Sequence, residues 1–200
     1  MTTSRIAQRL SLRSGLFRTQ AGYSLHDLIV TSAVVGMLSI GTAGMVGLVQ
    51  NSQMTSEVNE LIAHLNLARS EAILRGQEVV LCPSKNGSDC DDPNDDYAWW
   101  HSGYLVFVNM DGNTDRSSNE PIIRVHQTSP GRISIKSSKF RSRITYHANG
   151  LSSGSTATFT FCGTHEPSPA RYVILSNTGR PRVASIPSDG KADEESELCS

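Results

Sequence analysis

The chain has 200 residues, with 18 Lys and Arg against 19 Asp and Glu and a formal net charge of −1 at pH 7. This length gives room for one hydrophobic core of ordinary domain size. A charge so close to zero argues against a protein that binds polyanions along its whole length, so any such binding must be local.

At the N-terminus a basic segment precedes the apolar run instead of containing it. Residues 1–22 carry four Arg and no acid, and continuous hydrophobicity begins only after Gly22. In a secretory signal peptide the basic and apolar regions both lie before the cleavage site, so the apolar part is removed. Here a cut between Gly22 and Tyr23 would keep it. Residues 1–22 are therefore predicted to be a cleaved leader.

The apolar run that follows is long enough to cross a membrane. Residues 28–49 carry no charge, and at ~1.5 Å per residue they reach ~33 Å, against a ~30 Å hydrocarbon core. We therefore predict that residues 23–50 form a single transmembrane helix. Asp27 lies at the edge of this run, where an unpaired carboxylate is unfavourable, and it is expected to have a partner.

Residues 22–30 resemble the type III signal of type IV pilins and type II secretion pseudopilins, although His26 stands where Ile is usual and Asp27 where Glu is usual. The resemblance implies that a prepilin peptidase cleaves after Gly22 and methylates the new amino group of Tyr23. It also implies that Asp27, one methylene shorter than Glu, neutralises the N-terminal amine of a neighbouring subunit during assembly. The protein would then be a single-pass inner-membrane protein with a periplasmic C-terminal domain. A plain signal anchor, the alternative, does not explain a leader without an apolar region.

One helix is predicted from near Tyr23 to Arg75, because no proline occurs before Pro83 and Gly76 can end the helix in a left-handed conformation. In its second half, residues 51–76, apolar side chains recur at three- and four-residue steps: Val58, Leu61, Ile62, Leu65, Ala68, Ala72 and Ile73. This half is amphipathic and is expected to pack on a sheet.

The residues after Gly76 show the short apolar runs and the turn residues of β-structure. Eight strands are predicted, at residues 78–82, 104–110, 122–125, 133–135, 143–146, 157–161, 171–175 and 180–183. A long helix laid on antiparallel β-sheet makes the fold class α+β and pilin-like. Residues 77–187 are predicted to form this β-rich domain, and residues 188–200 an acidic tail.

Several segments resemble one branch of the pilins, the GspH/FimT minor pilins. The most specific is the Leu-Ala-Arg-Ser-Glu-Ala-Ile run of residues 67–73. The others are residues 79–83, the strand at 104–109 with the Asp-Gly-Asn turn after it, and the Thr-Gly-Arg-Pro-Arg run of residues 178–182. The resemblance implies a filament subunit that assembles with other pilin or pseudopilin subunits.

The charged residues are strongly segregated along the chain. Residues 89–115 hold seven acids and no base: Asp89, Asp91, Asp92, Asp95, Asp96, Asp111 and Asp115. Residues 116–182 hold ten bases against two acids, the bases being Arg116, Arg124, Arg132, Lys136, Lys139, Arg141, Arg143, Arg171, Arg180 and Arg182. A basic segment of this kind indicates a polyanion partner for this part of the chain.

Arg180 and Arg182 flank Pro181 and would face the same side of an extended segment. Proline fixes the backbone between them, and Gly179 allows a tight turn before them. Each guanidinium can bind phosphate through two hydrogen bonds. The resemblance to the FimT proteins implies that this Gly-Arg-x-Arg motif binds double-stranded DNA during natural transformation. A hairpin with two solvated arginines is the alternative.

Residues 136–143 are a second candidate for phosphate binding. The run contains one aromatic residue, Phe140, and four bases: Lys136, Lys139, Arg141 and Arg143. Contacts of these bases with the phosphate groups of DNA would add affinity without recognising the base sequence. A solvated loop between strands is the alternative. The aromatic cluster of Tyr97, Trp99 and Trp100 is expected to serve core packing or filament contacts instead of base stacking.

The four cysteines, Cys82, Cys90, Cys162 and Cys199, all follow the predicted span. In an oxidising compartment their even number suits two disulfides. Close spacing favours Cys82 with Cys90, which leaves Cys162 for Cys199, but three pairings are possible in principle. Zinc is not expected, because the sequence has no Cys-x-x-Cys.

Residues 111–115, Asp-Gly-Asn-Thr-Asp, copy the first ligand spacing of a calcium loop. An EF-hand needs Glu eleven positions after Asp111, where this chain has Ile122, so a type I′ hairpin turn is the preferred interpretation. Five histidines, His64, His101, His126, His147 and His165, have no Ser or Cys nucleophile at motif spacing. We therefore expect no metal, no cofactor and no enzymatic activity.

Together these features predict a minor pilin of the FimT type that binds double-stranded DNA for uptake through a type IV pilus. The alternative is a GspH-like pseudopilin, a structural subunit at the tip of a type II secretion filament, whose arginines contact neighbouring subunits or cargo. Both functions require the membrane, a prepilin peptidase and other filament subunits as partners. A catalytic periplasmic domain is the remaining class.

Overall fold

The computed structural model describes residues 22–92, 98–127, 133–138, 140–163, 170–184 and 199, without the side chains of residues 36–48 and 50. The chain divides into two compact units, residues 1–44 and 45–200. All of the predicted leader except Gly22 lies outside the described residues. In the part of the chain that is described, no helix combines the length and the apolar character needed to span a membrane. The span at residues 23–50 stays a prediction.

Helix α1 (Leu25–Arg75) begins two residues after Tyr23 with a reciprocal pair of hydrogen bonds. The hydroxyl of Ser24 accepts a hydrogen bond from the backbone N–H of His26 (3.3 Å), and the carboxylate of Asp27 accepts one from the N–H of Ser24 (3.3 Å). This is a capping arrangement that satisfies free donors at a helix N-terminus. Asp27 thus helps to start the helix, and its role in assembly stays a prediction.

The amphipathic second half of α1 is confirmed. Six of its apolar side chains are buried at three- and four-residue steps: Met54, Val58, Leu61, Leu65, Ala68 and Ala72. Gly76 follows the helix with a φ of +63°, as expected for a left-handed cap. Ile73, which the pattern assigned to the same stripe, is 51% exposed, because it lies about 100° around the helix from Ala72.

All eight predicted strands are confirmed within the described residues, with ends that differ by at most two residues. They are β1 (Glu78–Pro83), β2 (Tyr104–Asn109), β3 (Ile122–His126), β4 (Ile133–Ser137), β5 (Ile144–Tyr146), β6 (Ala157–Gly163), β7 (Arg171–Leu175) and β8 (Pro181–Ala184). The runs are short and rich in β-branched and aromatic residues, which fit a pleated and half-buried surface.

The strands form two antiparallel sheets of four strands each, a division that the sequence analysis did not specify. The order is β3-β2-β1-β5 in the first sheet and β4-β6-β7-β8 in the second. Alternation of apolar residues within a strand indicates which side is buried, but not which strand it pairs with. As a consequence, β4 and β8 lie at opposite edges of the second sheet.

The second half of α1 packs against both sheets. Its buried stripe shares one core with Val79 and Leu81 of β1 and with Phe159 and Phe161 of β6. The two residues from each strand are two positions apart and therefore project from the same face. The helix thus fills the space to which both sheets present an apolar face.

The other face of the first sheet is covered as well. It carries a second cluster of fully buried side chains: Val80, Cys82, Leu105 and Phe107. A disulfide between Cys82 and Cys90 ties the following loop to this face, and a second disulfide joins Cys162 to Cys199. These are the two pairs that the spacing favoured.

The Asp-Gly-Asn run after β2 is not a type I′ turn, which corrects the expectation from sequence. A type I′ turn needs two consecutive residues with positive φ, and in this run only Gly112 has one (+79°). The strands resume pairing only at Ile122. The carboxylate of Asp111 instead accepts hydrogen bonds from the N–H of Asn113 (2.8 Å) and the hydroxyl of Ser117 (2.7 Å). The hydrogen bond from Ser117 and that from Asn113 lower the pKa of Asp111.

Candidate nucleic-acid interface

Gly179 forms the turn that leads into β8, and no larger residue fits there. Its φ is +73°, a conformation that residues with a Cβ rarely adopt. A Cβ at this position would lie 2.4 Å from the carbonyl oxygen of Gly150 and 3.0 Å from Cε1 of Tyr146. The backbone of the predicted Gly-Arg-x-Arg motif is therefore packed directly against a neighbouring turn.

Two side chains hold the carbonyl oxygen of Gly179. The Arg69 guanidinium donates to it from helix α1 (3.4 Å), and the Tyr146 hydroxyl donates to it from β5 (3.3 Å). Burial raises the pKa of Tyr146 above its ordinary value, so the hydroxyl keeps its proton. The helix and both sheets thus meet at this one turn.

Arg180 and Arg182 are both exposed on the edge of the second sheet. Arg180 directly precedes β8, and Arg182 pairs with Ile174 of β7 through the backbone. Neither side chain forms a hydrogen bond or an ion pair with any described part of the chain. Two guanidiniums two positions apart on a fixed backbone are thus available to an anionic partner.

Six other bases of the basic segment are already engaged within the chain. Arg116 donates to the carbonyl oxygens of Ser88 and Glu120, Arg124 to His64, and Arg141 to the carbonyl oxygen of Gly154. Arg143 donates to Asp115, and Arg171 donates to Asn51 and Thr55. Lys136 lies over the Trp99 ring. Arg132 and Lys139 lie outside the described residues. Fewer bases are therefore available to a polyanion than the ten bases of the segment suggest.

The second basic run is not a solvated loop throughout. Lys136 belongs to β4, is 9% exposed, and places Nζ 4.3 Å from the centre of the Trp99 ring. Burial lowers its pKa. Arg143 donates from Nε to Asp115 (2.9 Å) and from Nη1 to the Asp91 carbonyl (3.1 Å). Both side chains thus stabilise the fold.

Lys136 and Arg182, one base from each of the two predicted basic groups, lie far apart. Lys136 lies on one edge strand of the second sheet and Arg182 on the other. Three strand spacings of ~4.8 Å separate these edges, or about 14 Å. Of the aromatic cluster, Trp100 is fully buried and Trp99 is 40% exposed, while Tyr97 lies outside the described residues. The core role expected of the cluster therefore holds for Trp100.

Sequence reasoning missed a polar cluster between α1 and the first sheet. Nδ1 of His126 lies 3.0 Å from Glu60, and its Nε2 lies 3.3 Å from Glu57. Nδ1 of His64 lies 2.8 Å from the Tyr104 hydroxyl. The Glu60 to His64 step of four residues is a weak signal for a shared helix face, whereas the approach of His126 depends on the fold alone.

The environments of the two histidines shift their pKa values in opposite directions. Burial lowers the pKa of His64, although Glu60 opposes this effect. Burial also acts to lower the pKa of His126, but the hydrogen bonds and charges of Glu57 and Glu60 outweigh it and raise the pKa. His64 is therefore held neutral, and His126 is held between two carboxylates.

A long N-terminal helix packed on antiparallel sheets, with a disulfide-tied loop region, defines a pilin-like α+β fold. The family described as type II transport protein GspH matches residues 57–179, more than half of the chain. The chain therefore belongs to this family of minor pilins and pseudopilins, as the sequence indicated. No curated protein sequence matches the chain.

Solved structures of minor pilins and pseudopilins resemble the chain. The type IV minor pilin FimU of Pseudomonas aeruginosa is 23% identical, with 70% of this chain and 92% of FimU covered and a TM-score of 0.52. The minor pseudopilin EpsH from the type 2 secretion system of Vibrio cholerae is 12% identical, with 65% of this chain and 94% of EpsH covered and a TM-score of 0.44. The likeness to FimU supports the pilin-like α+β fold.

Proposed function

We propose that this chain is a minor pilin of a type IV pilus that captures double-stranded DNA through Arg180 and Arg182. One observation carries the proposal. Of the bases in the basic segment whose positions are described, these two have no partner among the described residues, whereas six others do. Their turn is fixed by Gly179 and its contacts, so the backbone that carries the two guanidiniums is already ordered before phosphate binds.

A second candidate function is supported by the family itself, which carries the description of a type II transport protein. In a type II secretion filament the same two arginines would contact acidic groups of a neighbouring subunit or of a secreted protein. This candidate predicts no affinity for DNA at low salt. It shares the fold, the anchor and the assembly step with the first.

Both candidates rest on the same placement in the cell. The prepilin peptidase cleaves between Gly22 and Tyr23 and methylates Tyr23, and residues 23–50 anchor the mature chain in the inner membrane. Residues 77–187 form the periplasmic domain, followed by the acidic tail at 188–200. Asp27 pairs with the N-terminal amine of a neighbouring subunit as the filament forms.

The experiment is a titration of the full chain, in mild detergent, with a fluorescent DNA duplex at several salt concentrations. Arg180→Ala and Arg182→Ala should each weaken binding about fivefold at low salt, because a charge-assisted contact to phosphate is lost. Each substitution should also reduce the slope of log affinity against log salt by about 0.9, the value for one phosphate contact. The binding of different DNA sequences should be reduced equally.

Lys85→Ala is the matched control, because Lys85 is an exposed base on the loop of the first sheet and its loss changes the net charge equally. This variant should bind DNA like the wild type. DNA capture is contradicted if the wild type does not bind at low salt, or if Lys85→Ala is as weak as the arginine variants. A wild type that does not bind DNA at low salt would favour the second candidate function, a subunit of a type II secretion filament.

A further inference from the structure

The polar cluster between helix α1 and the first sheet contains the elements of a metal site. Glu57, Glu60 and His64 follow one another at three- and four-residue steps and so share one face of α1. His126, the last residue of β3, faces them and pairs in register with Tyr104 of β2. The ligand atoms of Glu60, His64 and His126 all lie within 4.8 Å of one another.

The hydrogen bonds of His64 show which of its ring nitrogens carries the lone pair. The guanidinium of Arg124 can only donate, and its Nε lies 3.2 Å from Nε2 of His64. Nε2 is therefore the acceptor, and the ring proton is on Nδ1, which donates to the Tyr104 hydroxyl (2.8 Å). A histidine whose second nitrogen donates a hydrogen bond is the form that binds metal ions.

His126 has a corresponding arrangement. Its Nδ1 contacts Glu60 (3.0 Å), and its Nε2 contacts Glu57 (3.3 Å). If an ion takes the place of the proton between Nδ1 and Glu60, Nε2–H still donates to Glu57. A carboxylate that orients a metal-bound histidine in this way is a common feature of zinc sites.

We propose that Glu60, His64 and His126 bind one divalent transition-metal ion of the Zn²⁺ type. The ligands are the Glu60 carboxylate, Nε2 of His64 and Nδ1 of His126, with a water molecule as the fourth ligand. Tyr104 and Glu57 orient the two imidazoles. Binding releases the Nδ1 proton of His126 to solvent and displaces Arg124, an exposed side chain that can turn toward water.

The ligand types decide between classes of ion. Two imidazole nitrogens and one carboxylate suit Zn²⁺, Co²⁺, Ni²⁺ and Cu²⁺, whereas Ca²⁺ and Mg²⁺ prefer oxygen ligands. The cysteines are not competing ligands, because all four are in disulfides. The two carboxylates of Glu57 and Glu60 also offset the charge of the ion.

The site would join α1 to an edge of the first sheet, since β3 is the outermost strand of that sheet. An ion that binds the folded chain and not the unfolded chain raises the melting temperature by mass action. The ion would therefore strengthen the attachment of the helix to β3. This consequence does not depend on whether the filament serves DNA uptake or secretion.

The test uses the full chain in detergent, without a polyhistidine tag, after removal of metal with a chelator and removal of the chelator. Titration with ZnCl₂ should show one saturable equivalent and a rise in melting temperature. Titration with CoCl₂ should give the visible absorption bands of tetrahedral Co²⁺ with nitrogen and oxygen ligands. Glu60→Gln, His64→Gln and His126→Gln should each weaken Zn²⁺ binding at least about tenfold.

His147→Gln is the matched control, because His147 is also a histidine that contacts a carboxylate, with Nδ1 2.8 Å from Glu78. It should bind Zn²⁺ with unchanged affinity. Glu60 is 39% exposed, so Glu60→Gln should fold, and its melting temperature without metal serves as the check. The proposal is overturned if the wild type binds no saturable equivalent, or if folded Glu60→Gln binds Zn²⁺ as tightly as the wild type.

Discussion

Arg69 and Gly179 are 110 residues apart in the sequence, and the Arg69 guanidinium donates a hydrogen bond to the Gly179 carbonyl oxygen (3.4 Å). The contact joins two of the segments that resemble the GspH/FimT proteins, the Ala-Arg-Ser-Glu-Ala-Ile run on α1 and the Gly-Arg-Pro-Arg run that leads into β8. The helix therefore supports the backbone from which Arg180 and Arg182 project.

Gly179→Ala should lower the free energy of unfolding by about 2 to 4 kcal/mol. About 1 kcal/mol comes from the positive φ, and the rest from the overlap of the new Cβ with the Gly150 carbonyl oxygen. Gly154→Ala is the control, because Gly154 has a similar φ (+78°) and open space around it. Urea denaturation should show a loss near 1 kcal/mol for Gly154→Ala, and equal losses in the two variants would contradict the packing argument.

Arg69→Met and Tyr146→Phe should be coupled, because both side chains donate to the same carbonyl oxygen. Each single variant leaves one donor in place and should lose about 0.5 to 1.5 kcal/mol. The double variant leaves the Gly179 carbonyl without either donor and should lose more than the sum, by at least about 0.5 kcal/mol. A double-mutant cycle in urea measures this term. Strict additivity would show that the two contacts are independent.

Arg143→Ala should destabilise the fold, whereas Arg182→Ala should not. Arg143 is held by Asp115 (2.9 Å) and by the Asp91 carbonyl oxygen (3.1 Å), and its side chain is 13% exposed. Since Asp115 is itself 58% exposed, solvent screens the ion pair and the loss is expected to be about 1 to 2 kcal/mol. Arg182 has no such contact among the described residues. Thermal melts of the two variants should differ, and similar melting temperatures would refute the structural role of Arg143.

Removal of the disulfides should have unequal effects. The chain-entropy relation gives about 2.5 kcal/mol for the Cys82–Cys90 loop and about 3.8 kcal/mol for the Cys162–Cys199 loop, from separations of 8 and 37 residues. Replacement of each pair with Ala, followed by urea denaturation, tests the order. If replacement of Cys82 and Cys90 lowers the free energy of unfolding more, then contacts of the tied loop with β1, and not loop closure, determine the stabilisation.

Replacement of Gly22 should prevent processing of the chain. A Gly22→Val variant expressed with a prepilin peptidase is expected to keep residues 1–22, because the resemblance to the pilin signal assigns the cleavage to this glycine. Mass spectrometry of the N-terminal peptide distinguishes the precursor from methylated Tyr23. Detection of methylated Tyr23 in the variant would show that the cleavage site is elsewhere. Gly36→Val, within the helix and away from the site, is the matched control and should be cleaved.

Much of the local structure could be predicted from the sequence. The amphipathic half of α1 was evident from the spacing of Val58, Leu61 and Leu65, and the strands from short apolar runs bounded by Gly, Asn and Pro. These signals are local, because helix and strand periodicities depend on neighbouring residues. The same signals misassigned the Asp-Gly-Asn turn, since the loop after Asn109 is stabilised by side chains such as Ser117 that lie outside the turn itself.

The candidate sites depend on contacts between distant residues. The sequence offered ten bases, and only the fold shows that Arg143 is bound by Asp115 while Arg182 has no described partner. Similarly, His64 and His126 had no assigned role, and they meet because β3 pairs with β2 beside α1. Charge counts and motif spacing contain no information about such pairs, because the energy of an ion pair or a ligand set depends on distance in space.

The sequence by itself determined the order and type of the elements, the family, and the Gly-Arg-x-Arg motif, because hydrophobic period, turn residues and motifs are read over a few neighbouring positions. Only the tertiary structure decided that there are two sheets, that Arg69 and Tyr146 fix the turn at Gly179, and which bases stay available for an anion. Those outcomes depend on which strands pair and which side chains meet, and a strand's own pattern specifies its buried face but not its partner.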